Sequence, residues 1–158
     1  MATAHLRSRV RWSLAVLVVV MLALSLTSRP APAPASEPAT VGELLRVATQ
    51  FNHEYQVGDL RPVWERFDAA SRAIIPESRY LRWHGECRAA PGAATTLGAT
   101  RASRGWWIVA YSIGGVRLGD YWHREHGQWR FSLRRSNPLA ATLYASSFAQ
   151  YAHASGCR

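Results

Sequence analysis

The chain after residue 40 begins with apolar residues at helical spacing. Between Val41 and Val57 they recur every three or four positions, which places them on one face of a helix. Thr40 suits the N-cap, and Glu43, three residues later, completes a capping-box pattern. The same periodicity predicts a second helix from Leu60 to Ile75 and a third, shorter helix from Glu77 to Glu86.

From residue 95 onward the period changes to two, which predicts β-strands. The predicted strands cover residues 95–103, 106–113, 116–124 and 128–134. Gly114-Gly115 and His126-Gly127 are turn signals that join consecutive strands as hairpins. Residues 139–154 then predict a final helix or a packed tail. Helices followed by a strand meander indicate an α+β fold, in which the N-terminal helices pack on a curved antiparallel sheet.

The N-terminal region predicts export. Arg7, Arg9 and Arg11 precede an uncharged, mostly apolar run from Trp12 to Ser28, and a Pro/Ala-rich stretch follows it. This order is typical of a secretory signal peptide. The apolar run also reaches the lower limit for crossing a bilayer, so an uncleaved membrane anchor through residues 12–28 is the alternative. Both interpretations place the following domain outside the cytoplasm, either secreted or tethered to the membrane.

The domain plan is residues 1–28 as signal peptide or membrane anchor, 29–39 as Pro/Ala-rich linker and 40–158 as the folded domain. The chain has 158 residues and a formal net charge of +9, and all nineteen of its basic residues are Arg. Aromatic residues make up 11% and charged residues 18%, which is too apolar for a disordered chain. The arginines are spread through every element and export removes the usual polyanion, so no nucleic-acid partner is predicted.

Cys87 and Cys157 are the two cysteines of the chain. Two cysteines exclude a disulfide-rich scaffold, a four-cysteine zinc site and an iron–sulfur cluster. In an oxidising compartment they most simply form one structural disulfide, which would tie the end of the chain to the body of the domain. The alternative is a pair of separate thiols.

Several segments of the predicted domain together carry a family resemblance. They are Phe51 and Tyr55 of the opening helix, Gly58-Asp59-Leu60, Val63–Phe67, Tyr80–His84, Asp120-Tyr121-Trp122 and Gly127–Phe131. This order resembles the nuclear transport factor 2-like superfamily, which includes the SnoaL-like proteins. The resemblance spans most of residues 41–135 and lies in the order of elements, not in a catalytic signature. The Arg-only, Ala- and Pro-rich composition looks like that of a GC-rich genome, and exported proteins of this shape look actinobacterial.

The resemblance implies a cone-shaped fold whose sheet curls around a pocket. In that superfamily the pocket is catalytic in some members, binds a small apolar ligand in others and is filled in the rest. Asp120 is the weak catalytic candidate, because an Asp in an apolar pocket can act as a general base and because it shares a strand face with Leu118 and Trp122. Its alternative role is an ion pair with an arginine or a solvent position at a sheet edge. The candidates for lining the ligand pocket are Tyr55, Trp64, Tyr80, His84, Tyr111 and Trp122.

Other polar residues have simpler interpretations. His123 and His126 have a spacing superficially like that of metal ligands, but no third ligand is evident, so no metal site and no cofactor are predicted. Asp68 follows core residue Phe67 and is expected at the rim of the fold, paired with Arg72 four positions later.

Three functions follow from these observations. The first is an exported, non-catalytic domain that binds a small apolar ligand or another protein of the cell envelope. The first alternative is a small pocket enzyme of the lyase or isomerase type, using Asp120 with a Tyr or a His. The second alternative is a membrane-anchored component of a secretion or import assembly. Many folds of this type dimerise through the sheet, so a homodimer is an open alternative that no residue specifies.

Overall fold

A computed structural model describes residues 35–87 and 92–157 of the chain. The predicted signal peptide or membrane anchor, residues 1–28, and the first part of the predicted linker lie outside the described residues. No helix within the described ranges is long and apolar enough to cross a membrane.

Helices and one antiparallel sheet build the described part of the chain, which confirms the predicted α+β class. The helices are α1 (Val41–Val57), α2 (Leu60–Glu65), α3 (Ala69–Ile74), α4 (Glu77–Glu86), α5 (Leu133–Ser136), α6 (Pro138–Tyr144) and α7 (Phe148–Ala154). The strands are β1 (Ala94–Arg101), β2 (Trp107–Ile113), β3 (Val116–Glu125) and β4 (Gln128–Phe131). The four strands lie side by side in chain order, each antiparallel to the next.

Helix α1 has the bounds that its periodicity predicts. The Thr40 side chain accepts a hydrogen bond from the Glu43 backbone N–H at 3.2 Å, which caps the N-terminus. The other half of the predicted capping box is replaced, because the Glu43 carboxylate binds the Arg46 side chain instead. Gly58 ends the helix in the left-handed conformation, with φ of 80°, where a residue without Cβ is favoured. The apolar stripe is buried at Leu44, Val47, Ala48 and Phe51.

The predicted helix from Leu60 to Ile75 is wrong at its centre, where the chain breaks into α2 and α3. The backbone N–H of Asp68 donates to the carbonyl of Phe131, and the N–H of Phe131 donates to the carbonyl of Arg66, both at 2.8 Å. These bonds form a short parallel bridge between Phe67 and β4. A helix through the same residues would need those groups for its own hydrogen bonds, so the pairing with the sheet interrupts it.

Asp68 is therefore not at the rim and does not pair with Arg72. It is buried and acts as the N-cap of α3, where its Oδ1 accepts a hydrogen bond from the Ser71 N–H at 2.7 Å. Its Oδ2 lies 3.4 Å from His123 Nε2 across on β3. Burial raises the pKa of Asp68, but the contacts with His123, Ser71 and Ser132 outweigh it and lower the pKa to about 2.

The hairpin turns fall where the sequence predicts them. Ile113 pairs with Val116 around Gly114-Gly115, and Glu125 pairs with Gln128 around His126-Gly127. The last strand is shorter than predicted, because the chain turns into α5 after Phe131. There the Leu133 N–H donates to the Ser71 hydroxyl at 2.9 Å instead of to a neighbouring strand.

The C-terminal segment forms two helices where one helix or a packed tail was predicted. Ser147 starts α7 with a capping box to Gln150, which separates α7 from α6. The predicted disulfide is confirmed: Cys87, at the end of α4, is bonded to Cys157 beyond α7, with a Cα–Cα distance of 5.5 Å. This bond joins the last residues of the chain to the helical layer.

Removal of the disulfide should destabilise the domain strongly. The bond closes a loop across a sequence separation of 70, and constraint of the unfolded chain by such a loop is worth about 4 kcal/mol. The double variant Cys87→Ser/Cys157→Ser is therefore expected to lose free energy of unfolding of that order, measured by urea denaturation. Reducing agent should produce the same loss in the wild type and none in the variant; a reduced wild type as stable as the oxidised protein would contradict this.

The buried Asp68 carboxylate should stabilise the fold only when it is ionised. Its pKa is below the value in the unfolded chain, so its contribution is present above about pH 4 and is lost as the pH falls through 2. Asp68→Asn retains an oxygen that can cap α3 and is expected to lose roughly 2 kcal/mol at pH 6, a difference that disappears near pH 2. Asp59→Asn is the matched control, because Asp59 is the exposed N-cap of α2 and makes no capping hydrogen bond. Equal losses in the two variants would exclude this role for Asp68.

Candidate functional site

A cavity of about 380 Å³ lies between the helices and one face of the sheet. Aromatic side chains are prominent in its wall, and the remaining apolar lining is aliphatic or glycine: the aromatic residues are Phe51, Tyr55, Phe67, Tyr80, Tyr111, Phe131 and Tyr144. Polar side chains are fewer: Asn52, Gln56, Asp120, Ser136 and Asn137. The cavity therefore combines an aromatic wall with a small number of directional hydrogen-bonding groups, which is typical of a site for a small molecule.

The tertiary packing fixes one wall of this cavity. Phe51 of α1 stacks on Phe131 of β4 with ring centroids 4.9 Å apart, and meets Trp122 of β3 edge-on at 5.3 Å. Four residues further along α1, the ring of Tyr55 also faces the cavity. Because Phe51 and Tyr55 lie one turn apart on the same face of α1, the helix contributes both a core residue and the adjoining part of the cavity wall.

Asp120 is the one acidic side chain among the described residues of the cavity lining. It lies on β3 opposite Val109 of β2, and only 8% of the residue is exposed. The hydroxyl of Tyr111 donates a long hydrogen bond to Asp120 Oδ1 at 3.5 Å. Among the described residues no arginine forms an ion pair with Asp120, so its carboxyl group is buried without a compensating cation.

Burial raises the pKa of Asp120 to about 7, against a smaller opposing contribution from the Tyr111 hydrogen bond. Burial also raises the pKa of Tyr111 far above its usual range, with a further contribution from the neighbouring Asp120 charge. At neutral pH the cavity therefore contains a carboxyl group divided between its two protonation states, beside a tyrosine that stays protonated. A carboxyl group whose pKa lies near the working pH can donate or accept a proton with only a small change in free energy.

On the helical side, His84 lies behind the cavity wall. A hydrogen bond of 2.6 Å joins His84 Nε2 to the hydroxyl oxygen of Tyr144, and Tyr144 itself lines the cavity. Burial lowers the pKa of His84 to about 4, so its ring is neutral at pH 7. His84 can orient Tyr144, but it carries no positive charge toward the cavity.

The structure brings together four of the residues named from the sequence. Asp120, Tyr55, Tyr80 and Tyr111 line the cavity directly. The other three lie in the surrounding layer: His84 contacts Tyr144, Trp64 Nε1 donates to the Ile75 carbonyl at 2.8 Å, and Trp122 is 1% exposed against Phe51.

Apart from Asp120, the polar members of the lining, Asn52, Gln56, Ser136 and Asn137, were not identified from the sequence. Asn52 and Gln56 follow the core-facing Phe51 and Tyr55 by one position each on α1, so a helical projection could have placed them at the edge of the apolar stripe. Ser136, by contrast, reaches the cavity through the short helix α5, where a strand was predicted to end. The alternation of residues 128–134 predicts a continuous strand, so it gave no sign that the chain would leave the sheet after Phe131 and enter α5.

The two histidines with metal-like spacing point to different surroundings. His123 faces Asp68 and stacks on Trp106 at 4.2 Å between ring centroids, while His126 lies in the β3–β4 turn with φ of 50°. Within the described ranges no group of three or more His, Cys, Asp or Glu side chains could hold a metal ion.

Ionisation of Asp120 should oppose folding. Its pKa in the folded protein is above that of the unfolded chain, so the contribution of Asp120 to the free energy of unfolding falls as the pH rises from about 4 to about 7. The buried His84, whose pKa is lowered to about 4, contributes an opposite rise over part of this range in wild type and variant alike, so the two proteins are compared by their difference. The shift from 3.8 to about 7 corresponds to roughly 4 kcal/mol. Asp120→Asn should lack this fall and should be the more stable protein at pH 8, measured by urea denaturation. Parallel stability profiles of variant and wild type would contradict the assignment.

Comparison with known proteins does not identify a family for this chain. No protein-family model and no curated protein matches the sequence. Among solved structures, the chain is similar to the solution structure of a SEC-C motif containing protein from Rhodopseudomonas palustris, at 18% sequence identity and a TM-score of 0.36. That similarity covers 61% of this chain and 78% of the other.

Proposed function

We propose that this domain binds a small, largely apolar molecule in the cavity, and that Asp120 and Tyr111 receive the polar group of that molecule. The observation that carries the proposal is the burial of Asp120 at the cavity wall without an arginine partner among the residues that the structure describes. A carboxyl group in such a position destabilises the fold once it is ionised. Groups that oppose folding in this way are concentrated at functional sites.

The remaining lining supports a ligand-binding role. The cavity volume of about 380 Å³ is within the range of small-molecule sites. Asn52 and Gln56 on α1 add hydrogen-bonding groups on the helical side, and Ser136 on α5 adds one beside β3, where its hydroxyl accepts a hydrogen bond from the Tyr121 N–H at 2.8 Å. An apolar ligand body against the aromatic rings, with polar contacts at two sides, fits this distribution.

Family and location form part of the same proposal. The order of a long opening helix, short helices and a four-stranded meander supports membership of the nuclear transport factor 2-like superfamily, with its cone-shaped fold. The disulfide between Cys87 and Cys157 is compatible with an extracytoplasmic location. The proposed protein is thus an exported ligand-binding domain of the cell envelope.

The full chain, produced in a host that exports it, should retain a ligand in native mass spectrometry. The mass excess over the denatured protein is expected to disappear on denaturation and to identify the ligand class. Ala140→Phe places a large ring in the cavity, because Ala140 lines it, and should abolish the mass excess. Ala149→Phe adds the same ring on the exposed face of α7 and should leave the bound mass unchanged.

Two outcomes would overturn the ligand-binding proposal. One is a wild-type protein that carries no added mass and shows no fluorescence gain with the neutral apolar dye Nile red. The other is a bound mass or dye signal that persists in Ala140→Phe at the level of the Ala149→Phe control, because the molecule would then occupy some other site.

A second candidate function is acid–base catalysis in the same cavity, as a small lyase or isomerase. The specific observation that favours it is a carboxyl group with a pKa of about 7 within 3.5 Å of a tyrosine hydroxyl. The neutral His84, hydrogen-bonded to Tyr144, supplies a further group for proton transfer. If this function is correct, the wild type converts the molecule identified by mass spectrometry, while Asp120→Asn binds it without conversion. Recovery of the unchanged molecule after incubation with the wild type would exclude catalysis.

A further inference from the structure

The charge of the cavity lining contrasts with that of the whole protein. The chain carries a formal net charge of +9, yet none of the lining residues that the structure describes is Arg or His. The single group of the described lining that ionises near neutral pH is the acidic Asp120. An anionic ligand would meet a carboxylate there, and the described part of the lining offers no basic side chain to neutralise it, so this lining discriminates against anions.

The aromatic wall adds an attraction for positive charge. The face of an aromatic ring is electron-rich, and a desolvated cation over such a face gains about 2 kcal/mol or more. Tyr55 on α1 and Tyr111 on β2 are the half-buried rings of the lining, so a ligand in the cavity contacts them. Tyr111 is also the hydrogen-bond donor to Asp120, which places a ring beside the acidic group.

We propose that the ligand of this cavity is a small organic cation, an amine or a quaternary ammonium compound, whose charged group lies against Asp120, Tyr55 and Tyr111. This inference rests on the proposed ligand-binding function and specifies the chemical class of the ligand. The apolar parts of such a molecule would contact the remaining aromatic side chains. Its positive charge would compensate the buried carboxylate of Asp120, which pairs with none of the arginines in residues 35–87 and 92–157.

Binding of a cation should be coupled to loss of a proton from Asp120. In the empty cavity burial favours the protonated carboxyl group, whereas a cation beside it favours the carboxylate, so the proton is released to solvent. The titratable groups that face the cavity from the surrounding elements are Tyr111 on β2, Tyr55 on α1, Tyr80 on α4 and Tyr144 on α6. Burial raises the pKa of each of these tyrosines, so among the described residues that face the cavity Asp120 is the one that changes its charge near neutral pH.

Isothermal titration calorimetry with matched ligands tests the proposal on the full, disulfide-bonded chain. The cations are tetramethylammonium, choline and benzyltrimethylammonium, and each is paired with a neutral isostere in which a carbon replaces the charged nitrogen. At pH 8 at least one cation is expected to bind about ten-fold or more tightly than its isostere. Between pH 6 and pH 8 its affinity should rise about ten-fold, as the ionised fraction of Asp120 rises.

Proton release gives a readout that a purely steric preference would not produce. Titrations in two buffers with different ionisation enthalpies should show release of nearly one proton at pH 6 on cation binding, and none on binding of the isostere. Asp120→Asn should lose the cation preference, the pH dependence and the proton release. Asp59→Asn, the same change at an exposed turn residue, should retain all three.

Each remaining outcome overturns the inference in a recognisable way. If every cation of the series binds no more tightly than its isostere, or if none binds, the cationic ligand class is wrong. The ligand-binding function itself still stands in either case if the wild type, but not Ala140→Phe, retains a ligand or Nile red. Cation binding that persists unchanged in Asp120→Asn would place the cation elsewhere and would also contradict the inference.

Discussion

The contact of Phe51 with Trp122 and Phe131 is the interaction on which the rest of the structure depends. It joins the first helix to the two last strands through rings 4.9 and 5.3 Å apart, and it defines the wall behind the cavity. Aromatic pairs of this kind contribute about 1 kcal/mol beyond the area that they bury, and they also fix orientation. Because Phe51 fixes the position of α1, the neighbouring residues Asn52, Tyr55 and Gln56 on the same helix line the cavity.

Two further constraints hold the other walls of the cavity: one is a pair of backbone hydrogen bonds and the other is the disulfide. The pairing of residues 66–68 with Phe131 interrupts the second helix and holds Phe67 against the sheet. The disulfide from Cys87 to Cys157 joins the C-terminal helices to α4, on the side where Tyr80 and Tyr144 line the cavity. The cavity is thus bounded by elements that are distant in sequence, and none of them could form it alone.

This dependence on distant pairing explains what the sequence could and could not predict. Helix α1 and the hairpin turns follow local rules of periodicity, capping and turn chemistry, and they were predicted correctly. The break at Phe67 and Asp68 could not be predicted in this way, because the hydrogen bonds that cause it come from Phe131, more than sixty residues away. Local alternation placed Trp122 on the same face as Asp120, but only the packing of Phe51 shows that Trp122 lies beneath the wall and Asp120 at its surface.

The energetics of Asp120 and of the disulfide are related. Small domains are stable by about 5–15 kcal/mol, so ionisation of a buried carboxyl group, which opposes folding by roughly 4 kcal/mol, removes a large part of that margin. The constraint from the Cys87–Cys157 bond is of the same order, about 4 kcal/mol. The disulfide can therefore offset the destabilisation that the ionised Asp120 brings. A reducing compartment would remove that offset, so an acidic group buried in an open cavity is better tolerated in the oxidised protein than in the reduced one.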